Sequence, residues 1–121
     1  MKRALMIEDN PDNSVLISKL LKRAGYQVLL AETGEEGCRR AVEDRPDFVL
    51  LDIQLPDIDG LEVLSRIRAE TSSRKLPVIA VTSYAMSGDR ERMLAAGCNG
   101  YIEKPIDPHR VIAQIRGFLN D

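Results

Sequence analysis

Phe48-Val49-Leu50-Leu51-Asp52-Ile53 is an apolar run that carries a single carboxylate near its end. An apolar stretch of about four to eight residues bounded by turn signals reads as a strand buried on both faces. Pro46 supplies one bound and Gln54-Leu55-Pro56-Asp57 the other. Asp52 therefore stands at the strand's carboxyl end, and in open parallel sheets ligands bind just outside that end. An aspartate there can also do no more than start a turn, so its meaning depends on what the other strands bring to the same rim.

The same grammar repeats on either side of this run. Ala4-Leu5-Met6-Ile7 is a short apolar run that stops at Glu8-Asp9-Asn10-Pro11. Asn10 suits a helix cap and Pro11 a first helical turn. Leu16, Ile17, Leu20, Leu21 and Ala24 then recur at helical spacing, with Leu16 and Leu20 assigned to the core and Val15 left between their rows, before Gly25 ends the helix. Gln27–Ala31 reads as a second strand. Thr33 with Glu36 three residues on has capping-box spacing and opens a helix to about Asp44. Beyond the central strand, the loop from Ile53 to Gly60 holds two aspartates and a proline, and Leu61, Val63, Leu64 and Ile67 mark a third helix. Pro77–Thr82 is a fourth strand, its proline tolerated at the first position. Ser87-Gly88-Asp89 opens a fourth helix that Gly97 closes, and Gly100-Tyr101-Ile102-Glu103 is a short fifth strand running into Lys104-Pro105. Asp107-Pro108 caps and starts a last helix with Val111, Ile112, Ile115, Phe118 and Leu119 on its buried face.

Five strands alternating with five helices imply βαβ units, hence a doubly wound α/β fold with a parallel sheet and helices on both faces. The chain has 121 residues, room for one domain, and its 44% apolar and 30% charged residues suit one packed core. A net charge of -2 argues against a nucleic-acid surface. No apolar run nears the roughly 18 residues that a membrane span needs, and the amino terminus lacks a small-residue cleavage site. A cytoplasmic location is expected. Cys38 and Cys98 make no metal-ligand spacing with the one histidine, His109, and are read as plain thiols; His109 is read as exposed.

On this layout Glu8-Asp9, Asp52, Thr82 and Lys104 each lie at the carboxyl end of a different strand, on one rim. Three converging carboxylates repel one another unless a cation is present. Oxygen donors without imidazole or thiolate favour a hard ion, and one or two direct carboxylates with several waters suit magnesium. The Lys104 ammonium and the Thr82 hydroxyl complement the oxygens of a phosphoryl group in transfer, which makes Asp52 the candidate nucleophile.

The set Glu8-Asp9, Asp52, Thr82, Tyr101 and Lys104-Pro105, in this order and on these strand ends, resembles the response-regulator receiver domain of two-component signalling over essentially the whole chain. The resemblance implies a flavodoxin-like sheet of strand order 2-1-3-4-5 in a single receiver domain spanning residues 1–121. It further implies that Asp52 accepts phosphate from a histidine kinase or histidine phosphotransfer protein, and that Asp9, Asp52 and the Gln54 backbone carbonyl hold Mg2+ with Glu8 acting through a bound water. Thr82 and Tyr101 would be the switch pair, Lys104 the phosphoryl-binding cation, and the Lys104-Pro105 bond cis. Gln54 and Tyr84, each two residues beyond a reactive one, would be the gatekeepers of phosphoryl lifetime.

Two positions depart from the commonest pattern: Glu8 stands where Asp is frequent, and Ser83 follows Thr82 where Ala or Gly is usual. The openings Glu8–Asn13 and Val81–Met86 are similar to phosphorelay receivers and to small stand-alone regulators of bacterial cell-division control. Signalling would then run through a downstream target protein, with the receiver a monomer. Met1 so close to the first strand favours a whole protein over an excised receiver.

Four other readings compete with this one. A flavin-binding relative of the fold needs a hydroxyl- and glycine-rich phosphate loop where this chain has acids, and a dinucleotide enzyme needs a G-x-G-x-x-G that is missing after every strand. An unphosphorylated scaffold would not need every reactive group. A magnesium-dependent aspartate-nucleophile phosphatase is the strongest rival, but it calls for a second acid two residues past the nucleophile, where this chain has Gln54.

Overall fold

Strand alternation builds the molecule in two layers around one sheet. The computed structural model describes residues 2–82 and 89–119. The strands are β1 (Arg3–Ile7), β2 (Gln27–Ala31), β3 (Phe48–Asp52), β4 (Val78–Thr82) and β5 (Gly100–Glu103). They alternate with α1 (Pro11–Arg23), α2 (Gly34–Glu43), α3 (Gly60–Ala69), α4 (Asp89–Ala95) and α5 (Val111–Leu119). All pairings are parallel, and the sheet order is β2-β1-β3-β4-β5, the doubly wound arrangement expected.

Because successive strand side chains point to opposite faces, odd and even positions feed separate cores. Leu5, Ile7, Val49, Leu51, Val78 and Ala80 pack with Ala41, Val63, Leu64, Ile67 and Met93 on the side of α2, α3 and α4. Ala4, Met6, Phe48, Leu50, Ile79, Val81 and Ile102 pack with Ile17, Leu21, Val111 and Ile115 beneath α1 and α5. Every residue of β3 and β4 is buried, which is why those strands read as unbroken apolar runs rather than alternating ones.

Local signals act where the sequence places them. The Asn10 side chain accepts from the Asp12 amide at 2.9 Å with Pro11 at the first helical position, and Gly25 leaves α1 at φ +98°, a left-handed angle that disfavours any side chain. Thr33 Oγ1 accepts from the Glu36 amide, while the Glu36 carboxylate reaches back to the Glu32 amide, one residue earlier than a reciprocal capping box would have it.

Three expectations change. Leu16 is 37% exposed instead of core, because Ile17 and Leu21 take the buried row of α1 and turn Leu16 beside Val15 towards solvent. Phe118 is also on the surface, its ring lying against the bare backbone of Gly100. The last helix begins at Val111, because Asp107 forms a preceding turn: its carbonyl accepts from both Arg110 and Val111, and its carboxylate from the His109 amide. Ser87 and Gly88, expected to open α4, lie outside the described residues.

One helix–sheet approach depends on a missing side chain. A Cβ on Gly37 of α2 would come within 2.5 Å of Ile7 Cδ1 and 2.8 Å of its Cγ1 on β1. Gly37→Ala should therefore lower the urea-unfolding free energy by about 1–3 kcal/mol through overpacking, even though alanine gains about 1 kcal/mol over glycine in helix propensity. A variant as stable as the wild type would show that α2 moves off the sheet at little cost.

Candidate functional site

The pairing of the two central strands decides where the acids meet. In register Ile7 lies opposite Leu51, so one step further Glu8 and Asp52 come side by side, on the face of β1 and β3 that also carries Met6 and Leu50. This is where the sheet order reverses direction, since β2 lies to one side of β1 and β3 to the other, the crevice in which open α/β sheets bind ligands. Glu8, Asp9 and Asp52 each offer a carboxylate oxygen, and these oxygens lie within 4.8 Å of one another. Glu8 and Asp52 are buried at 3% and 5% exposure, whereas Asp9 faces solvent.

Lys104 reaches the same point from the far side. Its Nζ donates to Glu8 Oε2 at 3.2 Å and to Asp52 Oδ2 at 3.4 Å. The Lys104 amide donates to the Thr82 carbonyl at 2.7 Å, tying the end of β5 to the end of β4. The Lys104-Pro105 peptide bond is cis. Thr82 is fully buried, and Tyr101, half-buried on β5, packs into the core on the α2–α4 side. Gln54 is exposed at the mouth of the crevice, and its amide donates to Asp52 Oδ1 at 3.0 Å. Tyr84, the other expected gatekeeper, lies outside the described residues, as does Ser83. Glu8, Asp9, Asp52, Gln54, Thr82 and Lys104 thus sit on one rim, whereas Tyr101 lies further down β5, opposite Ala80.

One ammonium cannot neutralise three carboxylates, and the charge balance is visible in Glu8. Burial, and then the Asp52 carboxylate beside it, push the Glu8 carboxyl up to about 7 from the usual 4.5, against the opposing pull of Lys104 and the Asn10 amide. A cluster that binds a proton near neutrality is short of positive charge. Its donors are all oxygens, so the residues present fit a hard divalent cation.

A connection that sequence reasoning missed runs through the β3–α3 loop. Asp57 Oδ1 accepts from the Gly34 amide at 2.8 Å and Asp57 Oδ2 from the Glu35 amide at 2.9 Å, so an acid five residues beyond Asp52 caps α2. The two bonds hold the Asp57 carboxyl below its ordinary value. Asp59 caps α3 by accepting from the Glu62 amide. Nothing local in the sequence separates these two aspartates, since the partner of Asp57 lies 22 to 23 positions away.

Comparison with known proteins decides the family. Residues 4–116 match the response regulator receiver domain. The chain belongs to that family. This receiver is 42% identical over 120 residues to the polar-differentiation response regulator DivK of Brucella anthropi, covering 99% of this chain and 98% of that one. Among solved structures it is similar to the receiver domain of a sensor histidine kinase from Pseudomonas aeruginosa PAO1, at 36% identity and a TM-score of 0.90, with 99% of this chain and 98% of the other covered. That structure has a magnesium ion coordinated in its active-site cleft. A CheY-like receiver from Methanospirillum hungatei JF-1 matches at 30% identity and a TM-score of 0.91, over 99% of this chain and 94% of its own. No helix among the described residues of this receiver is long and apolar enough to cross a membrane.

The proton on Glu8 gives the receiver a pH signature. Between pH 4.5 and about 7 the folded protein holds a proton that the unfolded chain has released, so stability contributed by this site is present at low pH and is lost as pH rises through that window. In chelator, the wild type should lose on the order of 2–3 kcal/mol relative to Glu8→Gln between pH 4.5 and 7.5, measured by urea unfolding at each pH. Parallel profiles for the two proteins would contradict the raised Glu8 proton affinity.

Proposed function

We propose that this receiver is a phosphorylation-activated switch: Asp52 takes a phosphoryl group from a histidine kinase or histidine phosphotransfer protein and signals through contacts with a downstream target. The observation that carries this reading is the buried Asp52 carboxylate at the switch point of the sheet, bracketed by Glu8 and Asp9 and bonded to the Lys104 ammonium at 3.4 Å. An Asp52 oxygen attacks phosphorus, the donor's phosphorus–nitrogen bond breaks with its electron pair returning to the imidazole, and an acyl phosphate results. Asp9, Asp52 and the Gln54 carbonyl would hold Mg2+, with Glu8 acting through a water. When bound, the ion neutralises charge on the phosphoryl oxygens. The magnesium in the cleft of the Pseudomonas neighbour supports that choice.

Converting Asp52 to the acyl phosphate removes one of the two carboxylates that Lys104 contacts, and frees the ammonium for phosphoryl oxygens. The buried Thr82 hydroxyl turns toward the same oxygens, and Tyr101 follows into the space it leaves, biasing a two-state element toward the face of α4, β5 and α5. Gln54 and Tyr84 govern access of water to the acyl phosphate. Residues 1–121 act as one receiver domain, in the cytoplasm and as a monomer, without turning over substrate. The rival phosphatase chemistry lacks its second acid, since Gln54 occupies that position.

Acetyl phosphate with Mg2+ should add one phosphoryl group to the wild type by intact mass and none to Asp52→Asn. Turnover of p-nitrophenyl phosphate by the purified protein would overturn the switch reading. Val15, 52% exposed on α1 next to Leu16, offers the donor protein an apolar foothold near the rim. Val15→Asp should slow transfer from the partner roughly tenfold, about 1.4 kcal/mol, while leaving acetyl phosphate labelling unchanged. Equal losses with both donors would assign the effect to a damaged site.

A further inference from the structure

We propose that Asp57 is a positioning residue for the phosphoryl site: by capping α2 it holds the β3–α3 loop in the arch that aims the Gln54 backbone at Asp52. The proposal rests on the reading of Asp9, Asp52 and the Gln54 carbonyl as the cation-binding set. The arch is closed at its base, where the Gly60 amide donates to the Ile53 carbonyl at 2.9 Å, and Gly60 lies so close that a Cβ there would meet Ile53 Cα at 2.7 Å. Near its base the Gln54 amide donates to Asp52 Oδ1. Its crown is held from outside. The Asp57 carboxylate takes the first two amides of α2, and Ile58 presses on Gly34 so tightly that a Cβ on that glycine would lie 2.5 Å from Ile58 Cγ1.

A loop pinned at base and crown cannot rotate its peptide planes independently, so the direction of the Gln54 amide and carbonyl is tied to α2 through Asp57. The bond is charge-assisted at both oxygens and sits on the positive end of the helix, where a carboxylate is favoured. α2 itself is seated on β1 through the Gly37–Ile7 contact. Asp57 therefore refers the loop to the same strand that presents Glu8 and Asp9. Without it the crown loses both anchoring hydrogen bonds, while the base contact at Gly60 and the α3 cap at Asp59 remain.

The test uses Asp57→Ala, Asp57→Asn and, as a control that removes a cap from the same loop, Asp59→Ala. Amide hydrogen exchange on the metal-free proteins should quicken several-fold at Gln54 in Asp57→Ala, and Mg2+ titration followed by amide shifts should give a Kd weakened roughly tenfold, as for other residues that orient a metal ligand from outside. Asp57→Asn keeps one acceptor oxygen and should fall between the two. Asp59→Ala should lower the urea midpoint as much as Asp57→Ala yet leave the Kd within a factor of two. Unchanged Gln54 exchange in Asp57→Ala, or equal Kd changes in Asp57→Ala and Asp59→Ala, would overturn the proposal. If the wild type binds no Mg2+, the cation-binding reading falls instead, and the exchange arm alone decides for Asp57.

Discussion

The parallel pairing of β1 with β3 is the constraint on which the site depends. It sets Glu8 beside Asp52 at the buried end of two adjacent strands, an arrangement that two like charges would not choose for themselves. Repulsion there is offset by the sheet, by the Lys104 ammonium bonded to both carboxylates, and by a proton that Glu8 holds up to about pH 7. The apolar packing of β3 and β4 on both faces holds this strained charge arrangement together. A site assembled from flexible loops would relax by moving the acids apart, and the shortage of positive charge would disappear.

Charge at the rim is also distributed by mobility of function rather than by sign alone. Asp9 is exposed and available to an incoming ion, whereas Asp52 and Glu8 are walled in. Lys104 sits after β5, on the opposite side of β4 from the acids, so it spans the rim to reach them. The hydrogen bond that its backbone amide donates to the Thr82 carbonyl extends the pairing of β4 and β5 past the end of β5. Lys104 is therefore joined both to the acids through its ammonium and to the end of β4 through its backbone.

Much of this was legible in the sequence because the signals were local. The central strands announce themselves as unbroken apolar runs, and Asn10-Pro11, Thr33, Gly25 and Gly97 mark helix ends where the structure has them. The rim residues could be found because topology alone brings strand carboxyl ends together. What escaped was decided by long-range geometry. Leu16 has the right spacing for a core position, but the buried stripe of α1 is narrow enough for Ile17 and Leu21 to fill it. Phe118 falls in helical spacing with Val111 and Ile115, yet it is exposed and covers a glycine at the sheet's edge. Asp57 is indistinguishable from any loop acid until α2 is seen to end against it. Arg68, which no sequence signal singles out, donates its guanidinium to the carbonyls of Leu76 and Gly97 and to the Asn99 side chain, lacing α3 to the entrances of β4 and β5.

The division of the interior into two cores by one sheet has an evolutionary consequence. Odd and even residues of the same strand face different helices, so a substituted core side chain in the α1–α5 half meets its packing partners in that half. The exposed face of α1 around Val15 and Leu16 can therefore be remodelled while the opposite layer keeps its packing. Change in one layer leaves in place the β1–β3 register, which alone sets Glu8 beside Asp52.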